Sequence, residues 1–184
     1  MTYEPDVGDE EPAGFPVGPP LDLAPGMLLV AVGPGASGKS TFATTAAVDA
    51  VICLDSLRRE IGGNAGDQSA TPAAVARQNA LLDEHLAAGR SVFLDSTNVE
   101  ERVRRDLVAR ARRHRRPIVA LRFIASLDAC RARNRLRPAN RCVPPHILDW
   151  QYDRARAATE TLLLAEGFST VHDIDTATPS LPHP

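Results

Sequence analysis

The sequence predicts an α/β fold: a mainly parallel, five-stranded sheet with helices on both faces. Three observations carry this. Short apolar runs alternate with helix-like stretches through the middle of the chain, the order that yields parallel strands joined by right-handed crossovers. A glycine-rich loop, Gly33-Pro34-Gly35-Ala36-Ser37-Gly38-Lys39-Ser40, separates the first apolar run from the first helix-like stretch. Asp55 and Asp95 each close an apolar run, which sets them at the carboxyl edge of such a sheet, where open α/β folds bind ligands.

The elements follow in order. Met27-Leu28-Leu29-Val30-Ala31-Val32 is a continuous apolar run, the pattern of a strand buried on both faces. Residues 41–48 read as the helix after the glycine loop. Val51-Ile52-Cys53-Leu54 is a second strand ending at Asp55, and a short helix over 56–61 follows with Ser56 near its cap. The polar, glycine-rich stretch 62–67 is a loop. Thr71-Pro72 marks a helix start, with Thr71 as cap, and that helix runs to about Ala88 and stops at Gly89. A third strand spans 91–95, and an arginine-rich helix spans about 99–114. A fourth strand spans 118–124. Ser126 caps a helix through about Leu136, a proline-bearing loop follows, and one long helix runs from about Pro145 to Glu166, closed by Gly167. Residues 170–174 are the last strand.

A chain of 184 residues, 43% hydrophobic, suffices for one α/β core. The domain is expected over 27–176. Segment 1–26, with Glu4, Asp6, Asp9, Glu10, Glu11, Asp22 and six prolines but no Lys or Arg, reads as a disordered acidic tail. Segment 177–184 reads as a flexible C-terminal tail. No apolar stretch approaches the roughly 20 residues of a membrane span, and no signal peptide is apparent. Cys53, Cys130 and Cys142 have no C-x-x-C spacing and read as free thiols in a reducing cytoplasm. No obligate protein partner is evident.

The glycine loop carries the sharpest chemistry. Its spacing is G-x-x-x-x-G-K-[ST], with a strand before it and a helix after it. Backbone N–H groups of Gly33, Gly35, Ala36, Ser37, Gly38, Lys39, Ser40 and Thr41 are expected to cradle the phosphates of ATP or another nucleoside triphosphate. Lys39 neutralises the β- and γ-phosphates and the Ser40 hydroxyl ligates Mg²⁺. Lys39 is the only lysine among 21 Lys and Arg residues: arginine serves wherever a generic positive charge suffices, and lysine persists where a slim ammonium must reach into a phosphate nest.

The net charge of −2 conceals an asymmetry. Between Glu100 and Pro145 lie 14 arginines against four acids. A basic face of this kind suits a polyanionic partner, and the competing reading is that the arginines from Arg102 to Arg116 line a solvated helix face.

Four segments together resemble the 5′-hydroxyl polynucleotide kinases, a family of P-loop phosphotransferases. They are Gly33–Ala43; Leu54-Asp55-Ser56-Leu57-Arg58, a D-x-x-R element; Leu94-Asp95-Ser96-Thr97-Asn98, a D-x-T-N segment; and Arg133-Asn134-Arg135-Leu136-Arg137 with Arg141-Cys142-Val143-Pro144, an arginine-bearing lid. The resemblance covers about Met27 to Gly167 and implies a stand-alone kinase domain with the P-loop kinase fold. It implies Asp55 as general base, for which a Mg²⁺-water ligand is the alternative role, and Arg58 as the grip on an acceptor phosphate. Asp95 either holds hydrated Mg²⁺ or orients the substrate-gripping arginine. Arg133 and Arg137, spaced i, i+4, project together over the phosphates and stabilise charge on the β–γ bridge. Arg131, Arg135 and Arg141 read as solvated or salt-bridged, Thr97 and Asn98 as helix caps, and Trp150 as core. The expected activity is transfer of the ATP γ-phosphate to the 5′-hydroxyl of RNA or DNA. The alternatives are a kinase of a small hydroxylated molecule, such as a sugar, nucleotide sugar or antibiotic, and a nucleotide-binding switch without phosphotransfer.

Overall fold

The computed structural model describes residues 25–176. The two expected tails, 1–26 and 177–184, therefore lie outside the described residues apart from Pro25 and Gly26.

Among the described residues, five strands form one parallel sheet: β1 (Leu28–Val32), β2 (Ala50–Cys53), β3 (Val92–Asp95), β4 (Ile118–Ile124) and β5 (Thr170–Asp175). Their spatial order is β2-β3-β1-β4-β5. β1 lies at the centre, pairing Leu28 with Val92 on one side and with Ile118 on the other. All its side chains are buried, and each such Leu or Val contributes about 1.5–3 kcal/mol on leaving water. The loop that leaves β1 thus starts from the most firmly held strand.

Seven helices of the described residues accompany the sheet: α1 (Lys39–Ala43), α2 (Leu54–Gly62), α3 (Thr71–Ala87), α4 (Glu101–Arg113), α5 (Leu127–Arg135), α6 (Pro145–Ala157) and α7 (Glu160–Glu166). Successive β1 side chains point to opposite faces. Leu28, Val30 and Val32 pack with Leu57, Leu82, Leu107 and Leu163, from α2, α3, α4 and α7. Leu29 and Ala31 pack with Phe93, Leu121 and Phe123 and with Phe42 of α1. Helices therefore flank both faces, as predicted, but unequally. α5 and α6 pack on each other through Cys130 and Leu148, beside Ala125 just beyond the end of β4.

Four element boundaries differ from the sequence reading, each for a local reason. The helix predicted over 41–48 is α1, which ends at Ala43. Thr44 and Thr45 turn their hydroxyls back onto the carbonyls of Thr41 and Phe42, at 2.7 and 3.0 Å, and compete with helix propagation. α2 begins at Leu54, so Asp55 lies in the first helical turn rather than at a bare strand end. Thr71 is the first residue of α3, and Ala70 is its cap. The single helix predicted from Pro145 to Glu166 is two, broken at Ala158 with ψ 69°. Thr159 caps the second by accepting from the Leu162 N–H at 3.3 Å. Ser126 caps α5 as expected, accepting from the Ala129 N–H at 3.1 Å.

Candidate active site

The carboxyl ends of β1, β2 and β3 open into a cleft of about 900 Å³. Of the residues singled out from sequence, Gly35, Ala36, Ser37, Gly38, Lys39, Ser40, Thr41, Asp55, Arg58, Asp95, Arg133 and Arg137 all line it. Gly33 does not. Its N–H donates to the Thr97 carbonyl at 3.0 Å, so it anchors the start of the loop and has no donor left for a phosphate.

The loop is held in shape from within. Gly38 caps α1 with φ 96°, a left-handed conformation that suits glycine. Lys39 is buried, and its Nζ donates to Gly33 O at 3.1 Å, to Ser37 Oγ at 3.2 Å and to Pro34 O. Burial pulls the Lys39 ammonium down from 10.5 to about 8; Asp95 opposes the shift and Arg137 adds to it. The ammonium is thus desolvated in advance and sits on carbonyls that a phosphate can replace. From below, the Thr176 hydroxyl donates to Ser37 O at 2.8 Å.

Asp55, in the first turn of α2, gains from the positive end of the helix dipole. Arg58 is one turn further on and donates through Nη1 to Asp55 Oδ1 at 2.6 Å and to Ala65 O at 3.1 Å. Asp55 Oδ2 lies 3.7 Å from Arg141 Nη2. Asp95 is buried at the end of β3 and favours the charged forms of Lys39 and Arg137. Burial, followed by Asp95, raises the Cys53 thiol, and burial raises Cys130 against the pull of Arg133, Lys39 and Arg137. Neither thiol is primed as a nucleophile. All three cysteines are free.

The arginine-bearing segment closes the cleft from the opposite side. Arg133 donates through Nη2 to the Thr176 carbonyl, while its Nη1 is buried with no partner among the described residues. Arg137 is pushed below its ordinary value, first by burial and next by the like charge of Arg141, against the pull of Asp55 and Asp95. In all, Lys39, Arg58, Arg133, Arg137 and Arg141 face only Asp55 and Asp95 among the lining residues. A cleft with this surplus of positive charge is built for anions.

Ser40, Asp55 and Asp95 supply hard oxygen donors within this cleft, the set Mg²⁺ takes while keeping several of its waters. Among the described residues no group of three or more His, Cys, Asp or Glu could hold a metal.

Three cleft residues escaped the sequence reading. Gln151 of α6, folded back over the loop, accepts from the Gly35 N–H at 2.9 Å, so that donor, expected to face a phosphate, is taken by a side chain in this structure. Asn140 Nδ2 donates to Asn64 Oδ1 at 3.1 Å across a gap of 76 residues. Arg141, read as solvated or salt-bridged, is salt-bridged, but to Asp55 itself. Trp150, read as core, is 40% exposed with Arg154 over its ring at 5.9 Å. Asn98 is not the cap of α4; it is buried and donates to Ala31 O at 2.8 Å, tying β1 to the end of β3.

No curated protein matches the sequence significantly. Among solved structures, the chain is similar to AvrRxo1-ORF1 in complex with AvrRxo1-ORF2, at 16% identity and TM-score 0.64 over 82% of this chain and 55% of the other. The chain thus spans about half the length of that relative. It is also similar to a putative kinase from Chloroflexus aurantiacus, at 14% identity and TM-score 0.59 over 85% and 91%. A third is Kti12 from Chaetomium thermophilum in complex with ADP-AlF3, at 18% identity and TM-score 0.59 over 83% and 91%. At these identities the likeness is one of fold, and that fold is P-loop kinase-like. No helix among the described residues is long and apolar enough to cross a membrane. The family model described as an AAA domain, AAA_33, matches residues 28–162, and the chain belongs to that family.

Proposed function

We propose that the chain is an ATP- and Mg²⁺-dependent kinase that phosphorylates a hydroxyl, and that its acceptor is the 5′-hydroxyl of RNA or DNA. One observation carries the reading: Asp55, a carboxylate gripped by Arg58, shares a cleft with Lys39 and with the desolvated guanidinium of Arg137. A nucleotide-binding switch has no use for that carboxylate–arginine pair opposite its phosphate loop. Strand-end Asp95, the D-x-x-R element and the lid sequence add the resemblance to polynucleotide kinases.

The residues divide the work. The loop N–H groups and Lys39 hold the triphosphate; Lys39 exchanges its contacts with loop carbonyls for phosphate oxygens. Ser40 would hold a Mg²⁺ ion, with Asp95 as the carboxylate beside it, and the ion would supply charge neutralisation on the phosphate being transferred. Asp55 accepts the proton of the acceptor hydroxyl as its oxygen bonds to the γ-phosphorus. The bond from that phosphorus to the β–γ bridging oxygen breaks in line, and ADP leaves with the electron pair. Arg133 and Arg137 stabilise the charge that develops on the bridge. Arg58 orients the acceptor through a neighbouring phosphate, a task suited to a planar fork. The Asp55 proton passes to solvent when product leaves.

A second reading, a small hydroxylated or phosphorylated acceptor, is favoured by the Asn140–Asn64 contact, which narrows the acceptor end of the cleft. Labelled ATP offered with a 5′-hydroxyl oligonucleotide beside a panel of small alcohols decides between them. Label in the oligonucleotide supports the proposal. Label confined to a small alcohol replaces it with the second reading, and nucleotide binding without any transfer removes both.

A further inference from the structure

The turn Ala139–Arg141 sits against α2 and the loop that follows it at three points. Asn140 Nδ2 donates to Asn64 Oδ1 at 3.1 Å. The Asn140 carbonyl lies so close to Gly66 that a Cβ there would collide with it, so the approach requires glycine. Arg141 Nη2 reaches Asp55 Oδ2 at 3.7 Å. The arginine-bearing segment therefore has two halves. Arg133 lies over the Thr176 end of the phosphate loop, whereas Asn140 and Arg141 meet α2 and its loop, where an acceptor must enter.

On that second side, Arg58 and Arg141 take the two oxygens of Asp55 separately. The Nε atoms of both arginines are buried with no hydrogen-bond partner among the described residues. An unsatisfied buried donor on a charged group is costly, and two of them flanking one carboxylate are a surplus of donors. Arg137 is also depressed by Arg141, its strongest charged neighbour. Arg141 thus belongs to a cationic group that Asp55 does not neutralise.

We propose that Arg141 is a second arm, beside Arg58, of a clamp for a phosphate group carried by the acceptor, held in place by the seat of the turn Ala139–Arg141 on Asn64 and Gly66. The clamp selects an acceptor whose phosphate neighbours the reacting hydroxyl and presents that hydroxyl to Asp55 between the two arms. The proposal rests on the kinase reading but not on the acceptor being nucleic acid. It makes Arg141 a binding residue and Asn64, Gly66 and Asn140 positioning residues.

The test loads the full chain with Mg²⁺ and a non-hydrolysable ATP analogue, so that the γ-phosphate position is filled, and titrates inorganic phosphate by calorimetry. Wild type is expected to bind phosphate at one site. Arg141→Ala and Arg58→Ala are each expected to weaken that binding about tenfold to a hundredfold, as removal of a charge-assisted hydrogen bond does. Arg141→Lys keeps the charge but not the fork and is expected to recover only part of the affinity. Unchanged affinity for the ATP analogue certifies that each variant is folded. Gly66→Ala, which holds the turn away, is expected to weaken phosphate binding with Arg141 intact. Absence of phosphate binding in loaded wild type, or full affinity in Arg141→Ala, overturns the clamp. A parallel assay asks whether wild type phosphorylates a 5′-hydroxyl oligonucleotide. Arg141-dependent phosphate binding without that activity removes the nucleic-acid reading and leaves the clamp standing for a small phosphorylated acceptor.

Discussion

Two regions of this protein are rich in arginine, and they use it in opposite ways. On α4 and the turn after it, the buried or half-buried arginines are matched to acids and carbonyls. Arg104 is enclosed by Glu166, at 2.7 Å through both Nε and Nη2, and by the carbonyls of Asn98 and Val99. Arg110 and His114 share Asp83. Burial works to raise Asp83, and the hydrogen bonds from Arg110 and His114 outweigh it, so its carboxyl sits below the usual range. Arg116 donates to Leu86 O at 3.0 Å. In the lid, Arg133 and Arg141 keep buried donors with no partner among the described residues, and Arg137 is desolvated beside another arginine. The residue type and the spacing are alike. What differs is whether folding brings an acid to the guanidinium, so a count of arginines along the sequence says nothing about which of them await a ligand.

The sharpest test of that contrast pairs Arg137→Ala with Arg104→Ala. Arginines that stabilise charge in phosphoryl transfer are worth 10³-fold or more, so Arg137→Ala is expected to cut turnover by about 10³ with stability nearly unchanged. Arg104→Ala strands Glu166, which is 3% exposed, and is expected to cost about 3–5 kcal/mol of stability. Its folded fraction should keep turnover. Denaturant melts beside steady-state rates check both, and exchanged outcomes would erase the distinction.

Asp55→Asn probes the carboxylate between the two cleft arginines. Removal of a general base is expected to lower turnover by about 10²-fold with little change in ATP affinity. Normal turnover with altered Mg²⁺ dependence would move Asp55 to the metal.

Much of this was legible before the fold was known. Gly33–Ser40 between an apolar run and a helix announced the central strand and the loop that lines the cleft, because that motif needs a fixed local spacing. Asp95 at the end of β3 and Asp55 two residues beyond β2 announced the cleft, because parallel topology aligns carboxyl ends. Gln151, Asn140 and Arg141 were not legible as site residues, because each acquires its place from a contact across the lid. The break at Ala158 was nearly legible: Thr159 followed by Glu160 is a helix start, overshadowed by the apolar pattern around it. The excess of arginine between Glu100 and Pro145 was legible but its division was not, since Arg104, Arg110, Arg122 and Arg131 are answered by Glu166, Asp83, Asp173 and Asp149 from elsewhere in the chain.

The desolvated side of the contrast also predicts a pH effect. The folded pKa of Lys39 is lowered to about 8 from 10.5. Across that window the unfolded chain binds more protons, so this group makes stability rise with pH between those values and adds no slope below them. Nucleotide binding moves the other way, because a neutral Lys39 loses its hold on phosphate. Affinity for a nucleoside triphosphate is expected to fall above about pH 8, by at most about tenfold per pH unit. Calorimetric titration from about pH 7 to about pH 9 checks it, and a flat affinity would remove Lys39 from the titration.

The smallest expected effect completes the contrast. Arg102 and Arg113 are exposed on α4, at the two ends of the helix whose buried arginines are satisfied. If that face is only solvated, a double Arg102→Ala, Arg113→Ala variant changes stability by no more than about 0.5 kcal/mol per site. It also leaves the salt dependence of oligonucleotide binding as it was, because no counterions are released there. If the face instead tracks a nucleic-acid backbone, the log–log salt slope flattens by about 0.7 for each single-strand phosphate that is no longer neutralised. A filter-binding series at several salt concentrations separates the two. The lid supplies the internal reference: Arg141→Ala in the same series is expected to flatten the slope by about one such step. A flattened slope in the α4 variant would mean that satisfied and unsatisfied arginines act on one ligand, and the division between the two regions would then be one of degree.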